Sequence, residues 1–227
     1  MITIVIPAHN EEKRLAPTVD AYARAFPKHD ILIVPNGCTD STEAIAKKLA
    51  KKYSCVRVWA TDKAGKGLAV REGFARAKGD LVGFVDADLA IEPKEFAKLL
   101  EFAGEADVVI ASRWVRGARM TELEPLQTRI AGRIFNLLVR IAFALPVRDT
   151  QCGAKIFRTQ LVRQILPRCF INKMAFDVEL LWRAKRQGAI IKEVPITWHH
   201  NAQDSHTGIM KTGLKMITQL ASLWWRG

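Results

Sequence analysis

Two aspartates one residue apart, Asp86-Ala87-Asp88, follow the apolar run Leu81-Val82-Gly83-Phe84-Val85. Carboxylates so placed at the end of a buried strand repel each other unless a cation lies between them. Hard oxygen donors suit Mg2+ or Mn2+, ions that typically bridge to substrate phosphates. A D-x-D pair can also be no more than a strand-end turn with solvated acids, but its place after the fourth apolar run favours the metal. Two other polar clusters end apolar runs in the same way: Pro7-Ala8-His9-Asn10-Glu11 and Asn36-Gly37-Cys38-Thr39-Asp40. Ligands of open parallel sheets bind beyond the carboxyl ends of the strands, so a site is to be sought in these segments. The first turn lacks G-x-G-x-x-G, and no G-x-x-x-x-G-K-[ST] occurs; Ala64-Gly65-Lys66-Gly67 is only a fragment of the latter and opens a helix in mid-domain.

Cations are placed as unevenly as these acids. The chain of 227 residues carries a formal net charge of +12, which points to an anionic partner. Between Ser112 and Arg168 stand eleven Lys or Arg and three acids, so two thirds of the excess sits in a quarter of the chain. Few aromatics interleave with that run and no nucleic-acid-binding motif accompanies it, which argues against a nucleic acid. The cysteines, Cys38, Cys55, Cys152 and Cys169, have no C-x-x-C spacing and read as thiols in a reducing compartment. No run reaches the roughly 20 apolar residues of a spanning helix. Ile2 to Pro7 is too short for a signal peptide and leads straight into His9-Asn10-Glu11-Glu12, so the expected location is cytoplasmic.

The elements that must position these groups alternate in type. Strands are predicted at 2–6, 31–34, 55–59, 81–85 and 107–111, with helices at 11–26, 39–53, 65–78 and 93–103. Continuous apolar strands alternating with helices imply an α/β, Rossmann-like, mostly parallel sheet with flanking helices. The second half is more elaborate: a polar loop at 116–125, a helix at 126–145, a short strand at 155–157, helices at 159–166 and 176–187, a strand at 190–194, and an amphipathic helix at 208–225 ending in Leu223-Trp224-Trp225. No repeat or linker divides the chain, so it reads as one domain.

In this order the motifs resemble the inverting nucleotide-sugar glycosyltransferases of family 2, with the GT-A fold, and within them the dolichyl-phosphate glucosyltransferases and dolichol-phosphate mannose synthases. The resemblance covers nearly the whole chain. Its carriers are Ile4 to Glu12, Asn36 to Asp40, Gly65-Lys66-Gly67 with Val70 to Gly73, Asp86 to Asp88, Ser112-Arg113, Arg148 to Lys155, Phe176 to Glu179 and Glu193-Val194-Pro195. Thr150-Gln151-Cys152-Gly153 and the Gly-Lys-Gly stretch favour the glucosyltransferase branch. The resemblance implies a nucleotide-sugar-binding half (1–111) in which Pro7, Ala8, His9, Glu11, Asn36, Lys66, Asp86, Ala87 and Asp88 hold the donor. Asp86 and Asp88 would ligate Mg2+ or Mn2+, and Arg113 would face the diphosphate. Three positions depart from the pattern: His9 replaces a usual aromatic, Asn36 a usual Asp, and Ala90 a Gln metal ligand of the mannose-synthase branch.

The implied reaction is inverting transfer of glucose from UDP-glucose to a polyprenyl or dolichyl phosphate, by a protein peripheral to the cytoplasmic face of a membrane. GDP-mannose as donor, or a soluble enzyme using a hydroxyl acceptor, are the alternatives. A hydroxyl acceptor needs a carboxylate base; a phosphate monoester, with a second pKa near ~6, is already anionic and needs cations instead. The acceptor half (112–227) offers Arg129, Arg133, Arg148 and His206 for that phosphate, with Arg113 shared between acceptor and diphosphate; a solvated basic face is the competing reading. His199 and His200 stand in the same tail. Asp149, Asp177 and Glu179, with Arg113, are the candidate catalytic groups, Asp177 or Glu179 acting either as base or by orienting arginines and acceptor. The helix at 126–145 and the Trp224-Trp225 tail fit contact with a bilayer interface. A nucleotidyltransferase would also use Mg2+ on an α/β domain, but Pro7-Ala8-His9-Asn10 is not its Gly-rich, basic loop.

Overall fold

The computed structural model describes residues 1–121, 126–199 and 209–226. His200, His206 and the end of the loop expected at 116–125 lie outside the described residues. The first half is built from β1 (Ile2–Ala8), α1 (Leu15–Ala25), β2 (Asp30–Pro35), α2 (Thr42–Lys52), β3 (Val56–Val58), α3 (Lys66–Ala75), β4 (Leu81–Val85), α4 (Pro93–Glu101) and β5 (Val108–Ser112). There follow β6 (Arg119–Met120), α5 (Leu126–Phe143), β7 (Ala154–Arg158), α6 (Thr159–Ile165), α7 (Phe176–Arg186), β8 (Ile191–Pro195), β9 (Thr197–Trp198) and α8 (Ile209–Arg226).

Seven strands form one sheet in the order β3-β2-β1-β4-β7-β5-β8. All neighbours are parallel except β7, which runs antiparallel to both β4 and β5. Side chains alternate across the sheet. Val5, Leu32 and Val34 face a core closed by α3, α5, α6, α7 and α8, whereas Ile4, Ile6, Ile31 and Ile33 face one closed by α1, α2 and α4. With both faces covered, the strands are the near-continuous apolar runs seen in the sequence.

Two differences from the sequence reading bear on the site. First, α1 starts at Leu15 rather than at Glu11, because Asn10 has φ 55° and residues 11–14 turn back, Arg14 N donating to Glu11 O at 3.0 Å. Second, α2 starts at Thr42 rather than at Thr39, and the residues ahead of it bind the β1 loop instead: Asp40 accepts from Glu12 N (3.2 Å) and Thr42 N (3.0 Å), and Glu11 N donates to Thr42 Oγ1 (2.7 Å). The two-residue parallel pair β6–β9 was not anticipated.

Candidate active site

The ends of β1, β2 and β4 and the start of α3 surround a cavity of about 180 Å3 lined by Pro7, His9, Glu11, Asn36, Lys66, Asp86, Ala87 and Asp88. Of the residues expected to hold a donor, Ala8 is fully buried behind this wall and Arg113 is not among the lining residues. Asn36, 1% exposed, is spent on the backbone: its amide donates to Ala8 O (2.9 Å) and its Oδ1 accepts from Gly65 N (3.0 Å). It therefore braces the β1, β2 and α3 loops against one another. His9 Nδ1 lies 2.7 Å from Asn36 O. Next to it Gly37 has φ 56°, and a Cβ there would stand 2.6 Å from Ala64 N, so only glycine lets these loops meet.

The cavity gathers negative charge. Glu11 is held by both guanidinium arms of Arg14, at 2.7 and 2.8 Å. Burial nonetheless raises its pKa, and Asp88 and Asp86 push the same way. Asp88 is raised by burial first and by Asp86 second, although its Oδ1 accepts from Ala90 N at 3.0 Å. Lys66 Nζ answers with an ion pair of 2.5 Å to Asp86 Oδ1. Burial opposes that ammonium, but the Asp86 and Asp177 carboxylates outweigh burial and raise its pKa. Such a donor set fits a hard divalent ion. Among the described residues no group of three or more His, Cys, Asp or Glu is placed to hold a metal ion, so an ion held by Asp86 and Asp88 would take its other ligands from phosphates and water.

A second cavity, about 390 Å3, lies along α5 and is lined by Trp114, Arg133, Ile134, Asn136, Leu137, Arg140 and Arg148. Arg133 sits 5.3 Å from the Trp114 ring centroid. Trp114 Nε1 and Arg140 Nε, on two of these lining residues, are buried without a hydrogen-bond partner. Arg129, a turn away, does not line it; its Nε is unanswered as well. Arg140 and Trp114 escaped the sequence reading, although Arg140, seven residues after Arg133, falls on the same helical stripe.

The segment from Arg148 to Gly153 joins the two cavities. Arg148 is exposed at the groove, and five residues later Gly153 O accepts from Asp86 N at 3.1 Å. Glu193 clamps its start, accepting from Arg148 N (2.7 Å) and Asp149 N (3.0 Å). Asp149, fully buried, takes Arg113 N (3.0 Å), Nε (2.8 Å) and Nη2 (3.0 Å). Burial works against the Asp149 carboxylate, but Arg113 outweighs it and holds its pKa below the usual range.

Asp177 and Glu179 stand on the first turn of α7 but not together in a cavity. Asp177 is 2% exposed and pairs with Lys155 at 2.6 Å; burial raises its pKa. Glu179 accepts from Phe170 N (3.1 Å), Ile171 N (2.8 Å) and Arg183 (3.0 Å). His199 lies beside Asp88's neighbours, its N donating to Ala90 O at 2.9 Å. All four cysteines are free thiols, and burial pushes Cys152 and Cys169 up to about 12.

Residues 3–166 match the sequence profile of glycosyl transferase family 2. Glycosyltransferase AglD of Haloferax volcanii is 30% identical over 99% of this chain, which spans 37% of that protein's length. Dolichyl-phosphate beta-glucosyltransferase ALG5C of Trichomonas vaginalis is 32% identical over 95% of this chain and 69% of its own. Glucosyl-3-phosphoglycerate synthase from Mycobacterium tuberculosis, solved with Mn2+, UDP-glucose and phosphoglyceric acid, superposes with a TM-score of 0.76 at 20% identity, over 98% of this chain and 79% of that one.

Proposed function

The chain belongs to glycosyl transferase family 2 and has the GT-A fold, and from that premise we propose that it transfers glucose, with inversion, from UDP-glucose to a polyprenyl or dolichyl phosphate. Residues 1–111 bind the donor and 112–227 the acceptor. The names of the relatives support the substrate pair: a dolichyl-phosphate beta-glucosyltransferase matches over most of both chains.

One observation carries the choice of acceptor. The groove beside the acidic cavity is lined by Arg133, Arg140 and Arg148, while both candidate bases are committed elsewhere, Asp177 to Lys155 and Glu179 to Arg183 and two backbone amides. A hydroxyl acceptor needs a free base there; a phosphate that is already ionised needs guanidinium donors. Asp86 and Asp88 would hold Mg2+ or Mn2+, which when bound offsets charge on the leaving diphosphate. Lys66 adds a cation on the same side, and Asp149 fixes Arg113 in a bidentate pair. The groove residues orient the acceptor oxygen and keep two anionic groups together.

Among the described residues no helix is long and apolar enough to cross a membrane. Ile134, Leu137, Leu138 and Ile141 on α5 are exposed, as are Trp224 and Trp225 on α8. That apolar surface supports a peripheral position on a bilayer, where the acceptor's hydrocarbon is found, and the cytoplasmic face is part of the same proposal. The test supplies UDP-glucose or GDP-mannose with Mn2+ and either dolichyl phosphate or dolichol. Glucosyl transfer to the phosphate alone is the expected result; equal transfer to the free alcohol, or a preference for GDP-mannose, overturns the reading.

A further inference from the structure

Lys155 lines neither cavity, yet it is a fully buried charge. Its Nζ donates to Asp177 Oδ1 at 2.6 Å and to Cys152 O at 2.8 Å, and it lies 5.2 Å from the Phe84 ring centroid. A buried ion pair is seldom more stabilising than apolar side chains of the same volume, so stability alone is a poor reason for it. Asp177 also acts electrostatically on Lys66, which lies 2.5 Å from Asp86 Oδ1 and 5.8 and 6.0 Å from the Phe84 and Phe176 rings. From core to cavity the charges therefore alternate: Lys155, Asp177, Lys66, Asp86. The strand that carries Lys155 also backs the cavity. Phe84 pairs with Lys155 in register, and a Cβ on Gly153 would stand 2.8 Å from Asp86 Cγ.

We propose that Lys155 is a positioning residue for the donor site: by neutralising Asp177 it leaves the Lys66 ammonium to the cavity. Without the Lys155 charge, Asp177 draws Lys66 away from Asp86. Two consequences of opposite sign follow. Asp86, relieved of its ammonium, binds a divalent ion on its own more tightly. A nucleoside diphosphate offered without metal meets one cation fewer and binds more weakly. A merely structural role, in which loss of Lys155 loosens the packing, weakens both. Only the nucleotide arm rests on the donor reading above.

The experiment titrates Mn2+ alone, and UDP alone in chelator, into the full-length protein by calorimetry, with a thermal melt to verify folding. In Lys155→Met, Mn2+ should bind tighter and UDP weaker, each on the order of tenfold, the scale of one charge interaction at a half-buried site. Asp177→Asn, which removes the competitor for Lys66, should move both affinities the other way, and it decides the matter if Lys155→Met does not fold. On a Lys66→Met background the Lys155 substitution should shift neither affinity. Parallel losses of both ligands, no change in either, or effects that persist without Lys66 overturn the proposal. A wild type that takes Mn2+ but no UDP overturns the donor reading alone, and the Mn2+ arm then decides the role of Lys155.

Discussion

Asp149 has no exposed surface, and Arg113 meets it with a backbone amide and two guanidinium nitrogens. Neutralising one partner breaks this largely buried ion pair, so Asp149→Asn should cost about 3–5 kcal/mol in urea unfolding. The pH dependence follows from the depressed pKa. The folded carboxyl gives up its proton more readily than the unfolded one, so its contribution is complete above the ordinary aspartate pKa and is lost as pH falls through the lower, native value. Melting temperatures of the wild type should therefore fall steeply below about pH 4, and the Asn variant should show a shallower acid limb; parallel limbs would remove Asp149 from the acid transition. Asp88 behaves in the opposite way, since burial first and the neighbouring Asp86 second disfavour its charged form. Mn2+ at about 100 times its Kd should raise the unfolding free energy by about 2.7 kcal/mol. In Asp86→Ala or Asp88→Ala that gain should vanish.

At the scale of elements, α5 carries the basic groove proposed for the acceptor and β7 the back wall of the acidic cavity proposed for the donor. Arg133 and Arg140 lie two turns apart on one stripe of α5 and both line the groove. Changing both to Gln should raise KM for dolichyl phosphate by about tenfold or more, at about 1.5–3 kcal/mol per charged hydrogen bond, with UDP affinity unchanged; equal losses in both would place these arginines outside acceptor binding. Much of this layout was legible. Strand–helix alternation gave the sheet, and polar residues after β1, β2 and β4 gave seven of the eight residues lining the acidic cavity by the rule of strand ends; Lys66 came from the Gly-Lys-Gly resemblance. What was not legible depends on direction and partner choice. Ala154–Arg158 is a five-residue run whose composition does not say that it enters between β4 and β5 antiparallel. That insertion alone brings Gly153 against Asp86 and Lys155 against Asp177. Likewise the sequence offered Asp177 and Glu179 as equals, and only packing shows each tied to a different cation.

For the whole molecule, the proposed function has charge and apolar surface act on one partner, a bilayer. The chain carries +12, and an anionic leaflet attracts each basic residue near it by about 1 kcal/mol. The apolar component is local. On α8, Met216, Leu220 and Leu223 pack into the core, whereas Trp224 and Trp225 remain 71% and 88% exposed. A groove of about 440 Å3 between α8 and α5 is lined by Phe135, Leu138 and Val139 on one side and Leu220, Trp224 and Trp225 on the other. Exposed tryptophans beside a basic surface are the composition of an interfacial anchor, in which rings enter the headgroup region and cations meet its phosphates. Replacing both tryptophans by Ser removes rings that contribute little to the core, so the melting temperature should change little. Co-sedimentation with vesicles should nevertheless fall by about tenfold or more, with phosphatidylcholine alone and with added phosphatidylglycerol. Raising salt from 50 to 500 mM should weaken only the anionic vesicles, because a Debye length of about 10 Å or less screens charge but not ring insertion. If the Ser variant sediments as the wild type does, the apolar face of α8 has another partner. Glucosyl transfer to a water-soluble, short-chain polyprenyl phosphate should then distinguish docking from chemistry, since it needs the groove at Arg133 and Arg140 but not the bilayer, and should survive the loss of both rings.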